Sequence, residues 1–194
     1  MDRFFRYVKI DTQSAEDQNT VPSTRKQLNL ANLLAKELTE LGAQGVRVSE
    51  FGIVYAVVPG NLPDNSKVPV VGFIAHMDTS PAVSGANVTP VVHKNYQGGD
   101  IVLPKDPTQV ITVADNPVLK DLIGDDIITA DGTTLLGSDD KAGVAEITRQ
   151  RGGKFQPGAG RIAGADHRNH RPHQHRRHAA HAKQGRGIVE FRQP

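Results

Sequence analysis

The sequence predicts an α/β fold for residues 1–147 and a tail without a packed fold for residues 148–194. Three observations lead to this prediction. Leucines recur at helical spacing between residues 30 and 41, and a nearly continuous apolar run, typical of a buried strand, occupies residues 68–75. Neither kind of pattern continues beyond Ile147. Two different kinds of sequence therefore share one chain.

Two helices are predicted within the first 42 residues. Residues 3–10 form a short amphipathic segment that can bury Phe4, Phe5 and Val8. A polar loop covers residues 11–22, and Thr24 then stands three residues before Gln27, which is the spacing of a capping box. The apolar face of the second helix carries Leu30, Leu34, Leu38 and Leu41. Gly42 is a suitable residue to end it.

Two strands are predicted next. Residues 53–58 (IVYAVV) are rich in β-forming residues and end at the turn dipeptide Pro59-Gly60. Residues 68–75 (VPVVGFIA) form the apolar run, a pattern typical of a strand that is covered on both faces. The expected architecture is therefore a central sheet flanked by helices.

The segment from residue 116 to residue 147 predicts further short elements. Asn116-Pro117 opens a short helix that Gly124 closes. Residues 127–129 and 133–136 flank Ala130-Asp131-Gly132, which predicts a tight hairpin. Residues 143–147 (GVAEI) then continue a helix that starts at Lys141.

The tail differs from the first segment in charge and in apolar content. Residues 1–147 have a net charge of −7 and residues 148–194 a net charge of +9, so the overall value of +2 averages two unlike segments. Six of the eight histidines lie in the tail, and its five large apolar residues follow neither a helical nor a strand period. Such a composition cannot offset the entropy lost on folding. We therefore expect residues 148–194 to be disordered.

Composition excludes several classes of protein. The chain has no cysteine, which excludes disulfides, thiolate metal sites and cysteine nucleophiles and fits a reducing cytoplasm. No apolar stretch approaches the ~18 residues of a membrane span. The N-terminal residues MDRFFRYVKI mix charged with apolar side chains, unlike a secretory signal peptide. We expect a cytoplasmic protein without a membrane partner.

Two clusters of residues have the chemistry of a metal site. His76 and Asp78 directly follow the second predicted strand, where ligands bind in open α/β sheets. His76 could bind a metal ion while Asp78 orients its ring, although a hydrogen-bonded loop histidine is the commoner role. Asp139 and Asp140 stand where a helix begins. They could hold or bridge divalent cations, and they equally suit helix capping.

The two clusters and their flanking residues resemble one family. The matching segments are residues 4–8, 10–14, 21–24, 72–81, 95–101 and 131–147, including NYQGGDI from Asn95 and LLGSDDKAG from Leu135. Over about residues 1–147 the chain resembles the N-terminal part of the peptidase T family, the tripeptide aminopeptidases among the dinuclear-zinc M20 metallopeptidases. The resemblance implies an incomplete M20-type catalytic domain, a central mixed sheet flanked by helices without its lid domain.

The resemblance also implies roles for three residues. His76 matches a ligand of one zinc ion, Asp78 matches the catalytic aspartate that supports this histidine, and Asp139 matches the carboxylate that bridges the two zinc ions. Asp140 matches no ligand. In the family, two zinc ions activate a water that attacks the first peptide bond of a tripeptide. The implied partner is a small peptide rather than a nucleic acid.

The same resemblance indicates that functional residues are missing. The family places a Glu-Glu pair, containing the general base and a zinc ligand, beyond the helix that follows Asp139, and further ligands later. After Ile147 this chain has only Asp166 and Glu190 as acids, in unrelated surroundings. We therefore expect little or no activity from the chain as written.

Three interpretations of the tail remain open. Its arginines could contact nucleic-acid phosphates, and its histidines at positions 167, 170, 173, 175, 178 and 181 could chelate metal ions. The favoured interpretation is an out-of-frame translation, because Arg, His, Pro, Gln, Ala and Gly arise together when GC-rich codons are read in a shifted frame.

Another M20 hydrolase, a dipeptidase or a deacylase, is the alternative enzymatic function.

Overall fold

A computed structural model of the chain describes residues 1–59, 71–151, 154–155 and 186–192. The first half contains helices α1 (Asp2–Val8) and α2 (Gln27–Glu40) and strands β1 (Gln44–Val48), β2 (Val54–Pro59) and β3 (Val71–His76). Strands β4 (Val91–His93), β5 (Ile101–Val102) and β6 (Val110–Ile111) precede a 3-10 helix (Pro117–Leu122), strand β7 (Ile127–Thr129) and helix α3 (Ser138–Ile147). Strands β8 (Gln150–Arg151), β9 (Lys154–Phe155) and β10 (Arg186–Arg192) follow.

The largest sheet is mixed and has four strands in the order β1-β2-β10-β3. β1 pairs antiparallel with β2, while β10 pairs parallel with β2 and antiparallel with β3. β10 therefore occupies the position between two strands that are neighbours along the chain. The α/β class is confirmed, with small antiparallel sheets β4-β7, β5-β6 and β8-β9 beside the main sheet.

Helices α2 and α3 cover one face of the main sheet. The leucine periodicity of α2 places Leu30, Leu34 and Leu38 in the core, each at most 2% exposed. They pack with Val54 and Ala56 of β2, Ala75 of β3 and Val144 of α3. Burial of these apolar side chains is the main favourable contribution to this layer. The predicted second helix and the predicted helix over residues 143–147 are both confirmed.

The opposite face of β3 is open within the described part of the chain. Side chains alternate across a strand, so Ala75 points into the core and Ile74 points away from it. Ile74 is 65% exposed. The prediction that this strand is covered on both faces is therefore wrong for the described residues. An apolar run shows that a strand has side chains suited to burial. Whether a second layer covers them depends on the tertiary structure.

A second apolar cluster supports the smaller sheets. Tyr96, Ile101, Leu103, Ile111, Leu119, Leu122 and Ile127 pack together between β5, β6, the 3-10 helix and β7. The 3-10 helix lies where the short helix after Asn116 is predicted. A third cluster, which includes Phe4, Val8 and Leu136, attaches α1 to the segment before α3. The N-terminal helix thus packs beside the start of α3.

Two local predictions are wrong. The Thr24 side chain does not cap α2; its hydroxyl donates to the Gln13 carbonyl at 2.7 Å instead. Residues 133–136 do not form a strand, and β7 pairs with β4. The Asp131 carboxylate accepts the N–H and hydroxyl of Thr133, which turns the chain away from a hairpin. In both places a polar side chain makes a tertiary or local bond that spacing does not reveal.

Several predictions concern residues outside the described ranges. These are Gly60, residues 68–70 of the second predicted strand and residues 156–185, which carry all six tail histidines. Of the tail, the structure describes residues 148–151, 154–155 and 186–192, which include strands β8, β9 and β10. The sequence predicts no element at Arg186–Arg192. Among the described residues, no helix is both long enough and apolar enough to cross a bilayer.

Candidate metal centre

The candidate site lies at the carboxyl end of β3, where the start of α3 approaches it. His76 is the last residue of β3, and the chain then turns through Met77, Asp78 and Thr79, all buried. Asp139 belongs to the first turn of α3, 63 residues later in the chain. The fold brings His76, Asp78 and Asp139 together, as the sequence predicts for a shared site.

The contacts of His76 assign its two ring nitrogens. Nδ1 lies 3.0 Å from the Asp78 carbonyl oxygen and 3.3 Å from the Asp78 Oδ1 atom. A carbonyl oxygen can only accept, so Nδ1 carries a proton and donates it. Nε2 points away from Asp78 and lies 2.9 Å from Asp139 Oδ1. In the neutral ring, Nε2 is therefore the nitrogen with a free lone pair.

The electrostatic environment favours a charged imidazole when no cation is bound. Hydrogen bonding to Asp78 raises the pKa of His76 to about 9, with burial opposing and Asp139 adding to the rise. The Asp78 side chain is only 3% exposed, while that of Asp139 is 88% exposed. Asp78 thus acts from within the protein, and Asp139 faces the solvent side of the site. A metal ion bound by Nε2 would replace the proton there.

The local backbone explains how Asp139 reaches this position. Gly137 has φ 73°, the left-handed region, and a Cβ there would lie 3.1 Å from Thr79 Cγ2. The chain can therefore pass close to the loop after β3 before α3 begins. Asp140 Oδ1 accepts the backbone N–H of Gly143 at 3.0 Å, a capping contact. The two adjacent acids have different surroundings, and only Asp139 faces His76.

An N-terminal segment, residues 10–14, lies alongside the loop after β3. Thr12 Oγ1 donates to the Met77 carbonyl at 2.7 Å, and the backbones of Thr12, Ser14 and Thr79 exchange two hydrogen bonds. The ammonium group of Lys141, on α3, donates to the Ile10 carbonyl at 2.8 Å. Sequence reasoning did not assign these supporting residues to the site. A lysine directly after two acids was the available signal, but its burial cannot be read from spacing.

The donor set suits part of a zinc site. His76 Nε2 and Asp139 Oδ1 are a nitrogen and an oxygen donor of the types that bind Zn²⁺, and Asp78 completes the carboxylate–histidine pairing common at such sites. A zinc site generally needs four ligands. Within the described ranges, no group of three or more His, Cys, Asp or Glu side chains is arranged to hold a metal ion. The residues present therefore fit zinc as an incomplete set.

Comparison with known proteins identifies relatives that match part of this chain. No family model matches the chain. The chain is 56% identical over 147 residues to a peptidase T of Desulfitobacterium hafniense strain Y51, a match that covers 76% of this chain and 35% of the relative. It is 54% identical over 147 residues to a peptidase T of Clostridium acetobutylicum, covering 76% and 36%. This chain is a relative of peptidase T.

A third peptidase T shows the same extent of similarity. The relative from Listeria monocytogenes serotype 4a is 52% identical over 145 residues, which are 75% of this chain and 35% of the relative. The matched length agrees with the length of the patterned segment, residues 1–147. The chain spans about a third of the length of the peptidase T relatives it matches. Its resemblance to peptidase T therefore concerns one part of a longer protein.

Proposed function

We propose that residues 1–147 carry part of the metal centre of a tripeptide aminopeptidase that uses two zinc ions. The observation that supports this most directly is the 2.9 Å approach of His76 Nε2 to Asp139 Oδ1 across 63 residues of sequence. His76 and Asp139 would bind zinc, and Asp139 would bridge both ions. Bound zinc supplies a water of lowered pKa and stabilises negative charge on the attacked carbonyl oxygen.

The side chains of the chain itself have distinct tasks in this proposal. The Asp78 carbonyl oxygen accepts the Nδ1–H of His76, and the Asp78 carboxylate lies 3.3 Å from the same nitrogen, which fixes the ring and leaves Nε2 for the metal. The exposed Asp139 carboxylate faces the same space from the start of α3. Asp140 serves the helix rather than the metal, because its carboxylate accepts the Gly143 N–H. The substrate would be a small peptide whose scissile bond lies on the solvent side of His76.

We also propose that the chain as written does not complete this chemistry. A general base has to lie within hydrogen-bond reach of the attacking water, and no third ligand group accompanies His76 and Asp139 in the described ranges. The strongly basic composition of residues 148–194 supports an origin by translation in a shifted frame. The chain would then bind zinc weakly at His76 and hydrolyse tripeptides no faster than zinc alone.

Zinc titration by calorimetry tests the proposed metal centre. We expect the intact chain to bind one equivalent of Zn²⁺ that disappears in His76→Ala and in Asp139→Asn. His93→Asn is the matched control, because the His93 ring lies elsewhere and bonds to Thr129 Oγ1 at 3.0 Å. The tail histidines are the same in the unsubstituted chain and in all three variants. Zinc bound by these histidines therefore contributes equally to the four titrations and cancels when they are compared.

Two outcomes would contradict the proposal. Equal zinc stoichiometry in His76→Ala and the unsubstituted chain would remove His76 as a ligand. Robust zinc-dependent release of the N-terminal residue from a tripeptide by the 194-residue chain would overturn the prediction that the chain is inactive. A panel of tripeptides, dipeptides and N-acyl amino acids separates an aminopeptidase from a dipeptidase or a deacylase.

A further inference from the structure

Gly143 is a glycine inside helix α3, three residues after Asp140. Glycine is less favourable than alanine in a helix interior, because it loses more backbone freedom when the helix forms. Gly143 does not have the positive φ that would require a glycine. The helical backbone therefore gives no reason for a glycine at this position, and the reason has to come from a neighbouring group.

The Asp140 carboxylate occupies the space that a side chain at residue 143 would need. Its Oδ1 atom accepts the Gly143 N–H at 3.0 Å. A Cβ atom at residue 143 would overlap this oxygen and would lie 2.9 Å from both Asp140 Cγ and Asp140 Oδ2. Favourable contacts between such atoms begin at about 3.5 Å. Gly143 therefore permits this hydrogen bond, and a residue with a Cβ excludes it in its present geometry.

The hydrogen bond makes Asp140 the cap of the regular part of α3. The backbone angles of Asp139 (φ −90°, ψ 103°) and Asp140 (φ −122°, ψ 35°) are not helical, so the regular helix begins at Lys141. Gly143 is the third residue of that helix, and its N–H has no acceptor within the helix. An aspartate that directly precedes a helix is suited to accept this N–H. The direction in which the chain enters α3 is thereby fixed at Asp140.

Asp139 directly precedes this cap. Its side chain is 88% exposed, so packing does little to fix it, and its Oδ1 atom lies 2.9 Å from His76 Nε2. The direction of the Asp139 side chain therefore depends on the backbone of residues 139–140, which the hydrogen bond between Asp140 and Gly143 holds. Hydrogen bonds around a metal site commonly orient its ligands in this way. Without the cap, Asp139 could turn away from His76.

We propose that Gly143 and Asp140 are positioning residues of the metal centre: the missing Cβ at residue 143 lets the Asp140 carboxylate cap α3, and this cap directs Asp139 toward His76. The inference rests on the proposed zinc site. Neither Gly143 nor Asp140 touches the metal or the substrate. The two adjacent acids thus have different tasks, since Asp139 faces the metal and Asp140 holds the backbone that carries Asp139.

Zinc affinity of the full chain tests this role. We expect Gly143→Ala to weaken the His76-dependent zinc equivalent about tenfold, because the Asp140 side chain has to rotate away from the new Cβ. Asp140→Ala removes the same hydrogen bond and should weaken zinc binding to a similar extent. Asp140→Asn keeps an oxygen that can accept the Gly143 N–H, so its zinc affinity should stay within about threefold of the unsubstituted chain.

Gly72→Ala is the matched control for the exchange of glycine by alanine. Gly72 belongs to β3, the strand that ends at His76, and a Cβ there would meet no atom of the described chain within 4 Å. We expect Gly72→Ala to leave the zinc affinity unchanged.

The double variant Asp140→Ala/Gly143→Ala separates positioning from stability. Without the carboxylate, an alanine at residue 143 has room, and its higher helix propensity should raise the melting temperature above that of Asp140→Ala. Zinc affinity should remain at the level of the single variants, since the hydrogen bond is already lost. If Gly143 acts only on the stability of α3, zinc affinity would instead recover together with the melting temperature.

Unchanged zinc affinity in Gly143→Ala would overturn the inference. A loss of about a hundredfold in the double variant would also overturn it, because two substitutions that act independently have additive free energies. If Gly143→Ala does not fold, Asp140→Ala and Asp140→Asn decide, and equal zinc affinity in these two variants contradicts the inference. All these outcomes leave the metal centre intact. An unsubstituted chain without the His76-dependent zinc equivalent overturns the proposed metal centre and this inference with it.

Discussion

At the scale of single residues, Glu37 joins helices α1 and α2. Its side chain is 9% exposed and accepts hydrogen bonds from Arg3 Nε at 3.2 Å, Arg6 Nε at 3.0 Å and the Tyr7 hydroxyl at 2.6 Å. Arg3 also donates to the carbonyl of Thr148 at the end of α3. One buried carboxylate thereby connects helix α1 with helix α2 and, through Arg3, with the end of α3.

Replacing Glu37 by Gln should destabilise the fold. An amide cannot accept from all three donors, and the arginines lose their counter-charge, so we expect the free energy of unfolding to fall by about 2 kcal/mol. Urea denaturation followed by circular dichroism measures this. Glu40→Gln on the same helix is the control, because the Glu40 side chain is 62% exposed and lies 3.9 Å from Lys36. A similar loss in both variants would refute the role assigned to Glu37.

Asp131 stabilises the turn after β7 in a pH-dependent way. Burial alone raises the pKa of Asp131, but hydrogen bonds from Thr133 and the Lys105 ammonium at 3.0 Å outweigh it and lower the pKa to about 2. The ordinary value of 3.8 applies in the unfolded chain. Stability from the Asp131 carboxylate is therefore present above pH 3.8 and is lost as the pH falls through 2.

The substitution Asp131→Asn should therefore lower the free energy of unfolding most at neutral pH. We expect the variant to be less stable than the unsubstituted chain by about 2 kcal/mol at pH 7, with roughly half of that difference gone near pH 3. Urea titrations from pH 7 to pH 3 measure the trend. Asp121→Asn, at an exposed position of the 3-10 helix, should change stability by less than about 0.5 kcal/mol throughout. A difference at Asp131 that widens on acidification would contradict the assignment.

At the scale of elements, strand β10 connects the two halves of the main sheet. Along its length it faces β2 on one side and β3 on the other, with Val189 opposite Phe73. Without it, β2 and β3 would each present an unpaired edge to the same gap. Unpaired edges readily accept any segment that can adopt an extended backbone. A tail without periodic patterning can therefore still supply a strand.

Val189→Pro should disrupt this arrangement. Proline lacks the N–H that a strand between two neighbours uses in the sheet, so we expect the free energy of unfolding to fall by at least about 1 kcal/mol. Hydrogen exchange should also become faster at the amides of β3. Val189→Ile keeps the β propensity and serves as the control. Unchanged stability and exchange in Val189→Pro would show that β10 does not support the sheet.

The elements differ in how far local sequence determines them. Leu30, Leu34 and Leu38 predict α2 because a helix with one apolar stripe is stable only against a core. β1, by contrast, carries Gly45 and is mostly exposed, so its residues have no strand pattern and its pairing with β2 defines it. The predicted capping of α2 by Thr24 is wrong because the Thr24 hydroxyl donates to the Gln13 carbonyl oxygen, a partner that only the fold brings close.

At the scale of the whole molecule, three features support the proposed change of sequence near residue 148. The chain matches about a third of the length of its peptidase T relatives, and Ile74, on the face of β3 that points away from the core, is 65% exposed. In the described ranges, no three His, Cys, Asp or Glu side chains are grouped to hold a metal ion. Each of these features follows if residues 148–194 replace the sequence that would complete the sheet cover and the site.

The coding DNA provides the prediction at this scale. If the tail is translated out of frame, we expect another reading frame beyond the codon of Ile147 to continue helix α3 and soon to encode a Glu-Glu pair. Sequencing of the genomic locus and of the transcript tests this expectation, and agreement between the two sequences excludes a sequencing error. If none of the three frames continues the helix, residues 148–194 are the genuine continuation, and the frameshift proposal is wrong.

The sequence by itself determined the α/β class, the helices α2 and α3 and the strands β2 and β3, and it predicts the break near residue 148 and the roles of His76, Asp78 and Asp139. These depend on local periodicity and on short motifs, which are written within a few residues of one another. Only the tertiary structure decided that His76 meets Asp139, that Lys141 is buried against Ile10, that β10 separates β2 from β3 and that Ile74 is 65% exposed. Those outcomes depend on contacts between segments that are distant in sequence, and no local pattern determines the free energy of such contacts.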